Sequence, residues 1–157
     1  MPTKPLDVVR KSLQVYADRG VFRSLNEIKR RHGMQSFTFV WLGNRPLELG
    51  IDTQAALLRF NRLLPNVPSK SPLYSELKSF LTSRGADDLP KHRRIDSKRA
   101  EVVWVNRAGT VSIALRVRNN QYAYGLNRLI NLVHELFVKL NDSHPEYMCE
   151  TFDVPQE

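Results

Sequence analysis

Two stretches of strict alternation constrain this chain more than anything else in it. In "SFTFVWL", Phe37, Phe39 and Trp41 fall on one side of an extended chain, and Thr38, Val40 and Leu42 on the other. "GNRP" then turns the chain, and "LELGID" alternates Leu47, Leu49 and Ile51 against Glu48, Gly50 and Asp52. A period of two in both arms predicts an antiparallel hairpin with one apolar face. A second hairpin is predicted further on, where "EVVWV" turns through "NRAGT" into "VSIALRVR". There Val111, Ile113, Leu115 and Val117 face one way, and Ser112, Ala114, Arg116 and Arg118 the other.

Helical periodicity brackets these strands. Leu6, Val9, Leu13 and Tyr16 recur at steps of three and four, and Gly20 ends that run. Ser71 followed by Pro72 reads as an N-cap with proline at the first helical position, opening a helix with Leu73, Leu77, Phe80 and Leu81 inward. The strongest helix is "YGLNRLINLVHELFVKL". Its Leu126, Leu129, Ile130, Val133, Phe137 and Leu140 form one broad apolar face, widened by Leu132 and Leu136, suited to lie across a sheet or at a subunit interface. Two segments are ambiguous. Residues 21–31 have a capping-box spacing from Ser24 to Glu27, yet sit next to clear strands, and are expected to be a strand. Residues 53–64 have leucines at 57, 58, 63 and 64 and are expected to be a short helix, with a further strand through "LLRF" as the alternative.

The expected fold is therefore a single α+β domain over 1–157. It has an antiparallel sheet of four to six strands, built from a meander and a hairpin and flanked by helices. The order is helix, meander, helix, hairpin, helix. This element order resembles that of the type III secretion chaperone fold. That resemblance implies a small dimeric protein that holds unfolded stretches of effector proteins. A chain of 157 residues with 41% apolar and 25% charged residues is enough for one core, and too apolar for disorder.

One cysteine, Cys149, cannot staple the fold, and it excludes a cysteine-based zinc cage. It fits a reducing compartment. The N-terminal residues lack the pattern of a signal peptide, and the longest unbroken apolar run, "FVWL", is far short of a membrane span. A cytoplasmic location and no membrane partner are expected.

The chemistry-bearing motifs are absent or incomplete. His134 and Glu135 begin the zinc-protease pattern H-E-x-x-H, but position 138 is Val, so the second histidine is missing. That leaves His134 at the edge of the apolar face and Glu135 expected in solvent. His32, His92 and His144 have no partner at metal-ligand spacing. No G-x-S-x-G elbow and no phosphate loop occurs. Cys149 sits beside Glu150, which disfavours the thiolate. Asp87 and Asp88 read as a helix-ending turn. No cofactor, metal or catalytic residue is expected, although a site assembled from distant residues would leave no such trace.

The net charge is +8 and unevenly placed. Residues 1–100 carry 19 Lys and Arg against 9 Asp and Glu, whereas residues 101–157 carry 5 against 7. The acids gather in a tail at 141–157. Three basic groups are candidates for anion or nucleic-acid contact: Lys29, Arg30 and Arg31; then Lys91, Arg93, Arg94, Lys98 and Arg99 in "KHRRIDSKRA"; then Arg116 and Arg118. Tyr122 and Tyr124, in "QYAYG", are the aromatics that could stack on bases beside them. Against this, charge runs commonly mark wetted surface, Arg116 and Arg118 could pair with Glu48 and Asp52, and Ile95 could anchor the 91–99 loop.

Three functions follow from these readings. The first is a non-catalytic protein-interaction or chaperone-like module, partnered by another protein or by itself as a homodimer. The second is a nucleic-acid-binding accessory protein with a basic face. The third is an enzyme with an unrecognised site.

Overall fold

The alternating stretches become strands of one sheet. The computed structural model describes residues 4–29, 34–86, 88–91 and 93–153. The elements are α1 (Pro5–Asp18), β1 (Arg23–Lys29), β2 (Met34–Val40), β3 (Pro46–Asp52), β4 (Leu57–Leu64), α2 (Pro72–Thr82), β5 (Ala100–Arg107), β6 (Thr110–Val117), α3 (Tyr122–Ser143) and α4 (Pro145–Phe152). The fold is a single α+β domain, and the six strands are antiparallel in the order β1-β2-β3-β4-β6-β5. Four strands thus run as a meander, α2 crosses over, and the last hairpin adds to β4 through β6. The segment expected as a strand over 21–31 contributes β1, and its residues 30 and 31 lie outside the described residues.

Residues 53–64 form no helix. The Asp52 carboxylate accepts from the amides of Gln54 and Ala55 at 3.0 and 3.1 Å, and Ala56 takes a left-handed φ of 55°. This turn reverses the chain into β4, which then has a strand on each side. Ladder pairing on both edges outweighs the weak helical spacing of the leucines. The register also slips between Phe60 and Leu64, where Arg62 has φ 50°. Such a bulge breaks the period of two that would have marked the strand. The Ser112 hydroxyl accepts the Arg62 amide at 2.9 Å, so the bulge leaves no orphaned donor there.

The inner face of the sheet carries Phe37, Phe39, Leu49, Ile51, Leu58, Phe60, Ile113 and Leu115, all buried. The apolar face of α3 covers it, with Leu126, Leu129, Val133, Leu136 and Leu140 fully enclosed. Ser71 caps α2 as its sequence predicts, its Oγ accepting from the Tyr74 amide at 3.1 Å. Ala108 and Gly109, at φ 51° and 89°, give the β5–β6 turn the left-handed pair that matches strand twist. Among the described residues no helix is long and apolar enough to cross a membrane.

The acidic stretch at 141–157 contains α4, which buries Met148 and Phe152 against α3. Tyr147 of α4 donates its hydroxyl to the Pro65 carbonyl at 2.7 Å. Burial pushes its pKa from the ordinary 10.0 up to about 12. The folded protein therefore holds this proton more tightly than the unfolded chain. The linked stability is complete below pH 10.0 and is lost as pH rises toward about 12. In a spectrophotometric tyrosinate titration, Tyr147→Phe is expected to remove the latest-ionising step. An unchanged curve would contradict this assignment.

Candidate functional site on the open face of the sheet

All the described helices stand on one side of the sheet. Gly125 of α3 sits against Val117 and Leu58, and α2 and α4 reach α3 through Glu76–Lys139 and Phe152–Phe137. The opposite face is open. Its residues are those that alternate with the core. Ser36, Gly50, Arg59, Ala114 and Val103 are paired in turn across five strands. The small Ser36 and Gly50 sink the floor, while Met34, Arg59 and Val105 line the hollow beside them. The result is a hollow of about 680 Å³. Gly50 lines it, and an added Cβ there would come within 3.0 Å of the Asn61 side-chain amide nitrogen. Glycine inside a strand commonly marks such a close approach.

Charge is distributed around the hollow in a definite way. Arg59, Arg62 and Arg107 line it, together with Glu48 and Asp52. Arg62 lies 4.0 Å from Glu48, and Asp52 is occupied by its own turn. Among the described residues, Arg59 and Arg107 have no ion pair or hydrogen bond through their guanidinium groups. Apolar surface adjoins them, with Met34 49% and Val105 47% exposed. None of the described residues that line the hollow is aromatic, histidine or cysteine.

The basic groups picked out in the sequence lie elsewhere. Lys29 ends β1 at one edge of the sheet, while Arg116 lies in β6 and Arg118 just after it, near the other. At ~4.8 Å per strand spacing, about 20 Å separates them. Arg30 and Arg31 lie outside the described residues. The 91–99 loop and the 116–118 pair do meet, since Arg118 donates through Nε to the Ser97 carbonyl at 3.2 Å. Arg116 and Arg118 pair with Glu101, at 3.5 and 3.8 Å, and not with Glu48 or Asp52.

Several of the loop's polar groups are tied to the rest of the fold, although Arg93, Asp96 and Arg99 stay exposed. Arg93 donates to Glu135 at 2.5 Å, and this carboxylate holds the guanidinium pKa above its usual value. Glu135 is thus not a solvated side chain: it also accepts from Arg84 at 2.5 Å. Burial pulls the Arg84 pKa down, against the opposing pull of Glu135. Arg99 bonds Gln121 and stacks 3.7 Å over the Tyr124 ring, with Arg128 at 4.7 Å from the same ring. The Tyr124 hydroxyl accepts from the Asp96 amide at 2.9 Å. Arg128 donates to the carbonyls of Arg94 and Lys91 at 3.2 and 3.4 Å. Ile95 is buried and anchors the loop. Tyr122 is only 2% exposed, and burial raises its pKa. Lys91 and Lys98 keep exposed side chains. His134 is exposed and stacks on Trp41 at a centroid distance of 6.4 Å.

Arg59, Arg62 and Arg107 went unnoticed in the sequence because they are scattered among apolar residues. Reading "LLRFNRLL" as a strand would have set Arg59 and Asn61 on one face, opposite Leu58 and Phe60. What fold and site define is an α+β domain with a helix-covered sheet whose other face is bare, hollow and arginine-rimmed. The chain matches no protein-family model, no curated protein and no solved structure.

Proposed function

We propose that the protein is a non-catalytic binding module that holds an extended, acidic segment of another protein across the open face of its sheet. The observation that carries this reading is the open hollow, where Arg59 and Arg107, without a guanidinium partner among the described residues, stand beside exposed Met34 and Val105. Unpaired guanidinium groups next to apolar surface suit a chain that alternates carboxylates with apolar side chains. A phosphodiester chain suits it less. Glu48 and Asp52 would face the phosphates, and none of the described residues lining the hollow has an aromatic ring to stack on bases.

The test is a titration of isotope-labelled protein with a permanently unfolded acidic protein, its disulfides reduced and carboxymethylated. A basic unfolded protein and a single-stranded oligonucleotide are run in parallel. Amide shifts are expected at Ser36, Gly50, Arg59 and Ala114 with the acidic chain, weakening with salt. The variant R59E/R107E is expected to bind about tenfold or more weakly. Shifts confined to other surfaces, or tighter binding of the oligonucleotide to the same face, would overturn the reading.

A further inference from the structure

The two edges of the sheet are built differently. At β1 the register slips between Arg23 and Asn26, and Ser24 takes φ 57°. A bulge of this kind twists an edge away from further pairing. Among the described residues, the outer edge of β5 has no such protection. Its eight residues pair with β6 without a slip, and the run Val102 to Val105 contains no charge and no proline. Natural sheets rarely leave a regular apolar edge uncovered.

The bonding direction of each β5 residue follows from the ladder. The Arg118 amide donates to the Arg99 carbonyl at 2.9 Å, so positions 99, 101, 103, 105 and 107 bond toward β6. The backbone groups of Val102, Trp104 and Asn106 therefore point outward. These are the groups a further strand would meet.

We propose that the protein forms a two-fold homodimer in which β5 pairs antiparallel with β5 of a second copy, centred on Trp104. That register matches outward groups with outward groups: Val102 with Asn106 of the second copy, and Trp104 with its own equivalent. On the open face it sets Val103 against Val105, and Glu101 against Arg107 of the second copy. Two-fold symmetry repeats each contact, as an isologous interface requires. Glu101 and Arg107 fall in the non-hydrogen-bonded positions, where facing side chains stand closest. The exposed Val105 gains an apolar neighbour, and the half-buried Trp104 meets a second indole on the helix side. The two sheets become one continuous sheet, and the open faces lie on the same side of it. This inference rests on the edge and its charge pattern; it shares Arg107 with the hollow, so E101R, which lies outside the hollow, tests the dimer separately from what the hollow binds.

Sedimentation equilibrium up to about 1 mM protein tests it first, with a mass twice the 18.2 kDa of the chain expected. E101R and R107E are each expected to weaken the dimer about tenfold, because each sets like charges opposite one another twice. The double variant E101R/R107E is expected to restore it to within about threefold. Hydrogen exchange on the unaltered protein gives an independent readout. The amides of Val102, Trp104 and Asn106 gain protection as concentration rises, while those of Val103 and Val105 are protected throughout. A monomer at every concentration overturns the proposal. So does a dimer that ignores both reversals and leaves the Val102, Trp104 and Asn106 amides unprotected.

Discussion

Glu135→Gln is expected to lower the unfolding free energy by about 3 kcal/mol, the usual scale for stranding a buried charge. Glu135 is the only carboxylate within ion-pair distance of Arg84 among the described residues, and Arg84 is 7% exposed. The guanidinium lies 3.8 Å over the Phe80 ring and donates through Nε to the Phe80 carbonyl at 3.1 Å. With the carboxylate removed, it is left in a site with little access to water. Arg93 loses its anchor in the same step, so the loop preceding β5 should exchange its amides faster, beginning at Ile95, whose amide donates to the Arg84 carbonyl. Urea unfolding checks the magnitude. The double replacement R84M/E135L should recover most of the loss, since a packed apolar pair can stand in for a buried ion pair. A change below about 1 kcal/mol for Glu135→Gln would mean that Arg84 is effectively solvated.

Gly125→Ala is expected to cost about 2 kcal/mol, although alanine is the better helix former by about 1 kcal/mol. The reason is contact with the sheet. A Cβ on Gly125 would stand 2.3 Å from Val117 Cγ1 and 3.4 Å from Leu58 Cδ1. Val117 is β-branched and buried, so it cannot swing aside. The helix would have to lift from β6, loosening the packing of Leu126 and Leu129. Combining Gly125→Ala with Val117→Ala should cost less than the sum of the two separate changes, because the smaller side chain makes room for the new methyl. Strict additivity in denaturant unfolding would show that the helix does not rest on Val117.

What could be read from the sequence, and what could not, follows one physical distinction. Strands buried on one face and wet on the other advertise themselves by alternation, and so β2, β3 and β6 were legible. The face of α3 was legible because a helix lying across a sheet must be apolar over a wide arc. Segment 57–64 was not legible. It lies between two strands, has leucine toward both sides of the sheet, and slips register at Arg62. The open face was hidden for the same reason, since Arg59 and Arg62 lie on that segment. The basic run at 91–99 was conspicuous, but the groups that engage it, Glu135, Gln121 and Tyr124, arrive from α3 and its N-cap, 22 to 42 residues later. A cluster of charge along the chain thus became a set of tertiary ties, and no local pattern could have announced it.

The clasp at the far end of the sheet bears on how the chain is made. The amide of Asn44, in the β2–β3 turn, donates to the Phe152 carbonyl at 2.9 Å, and its side chain reaches Asp153 at 2.8 Å. Gly43 stands so close to Phe152 that a Cβ there would come 2.4 Å from the Phe152 carbonyl oxygen. A turn completed early on the ribosome therefore waits more than 100 residues of translation for its partner. Until α4 emerges from the exit tunnel, the meander can assemble but its β2–β3 hairpin stays unlatched.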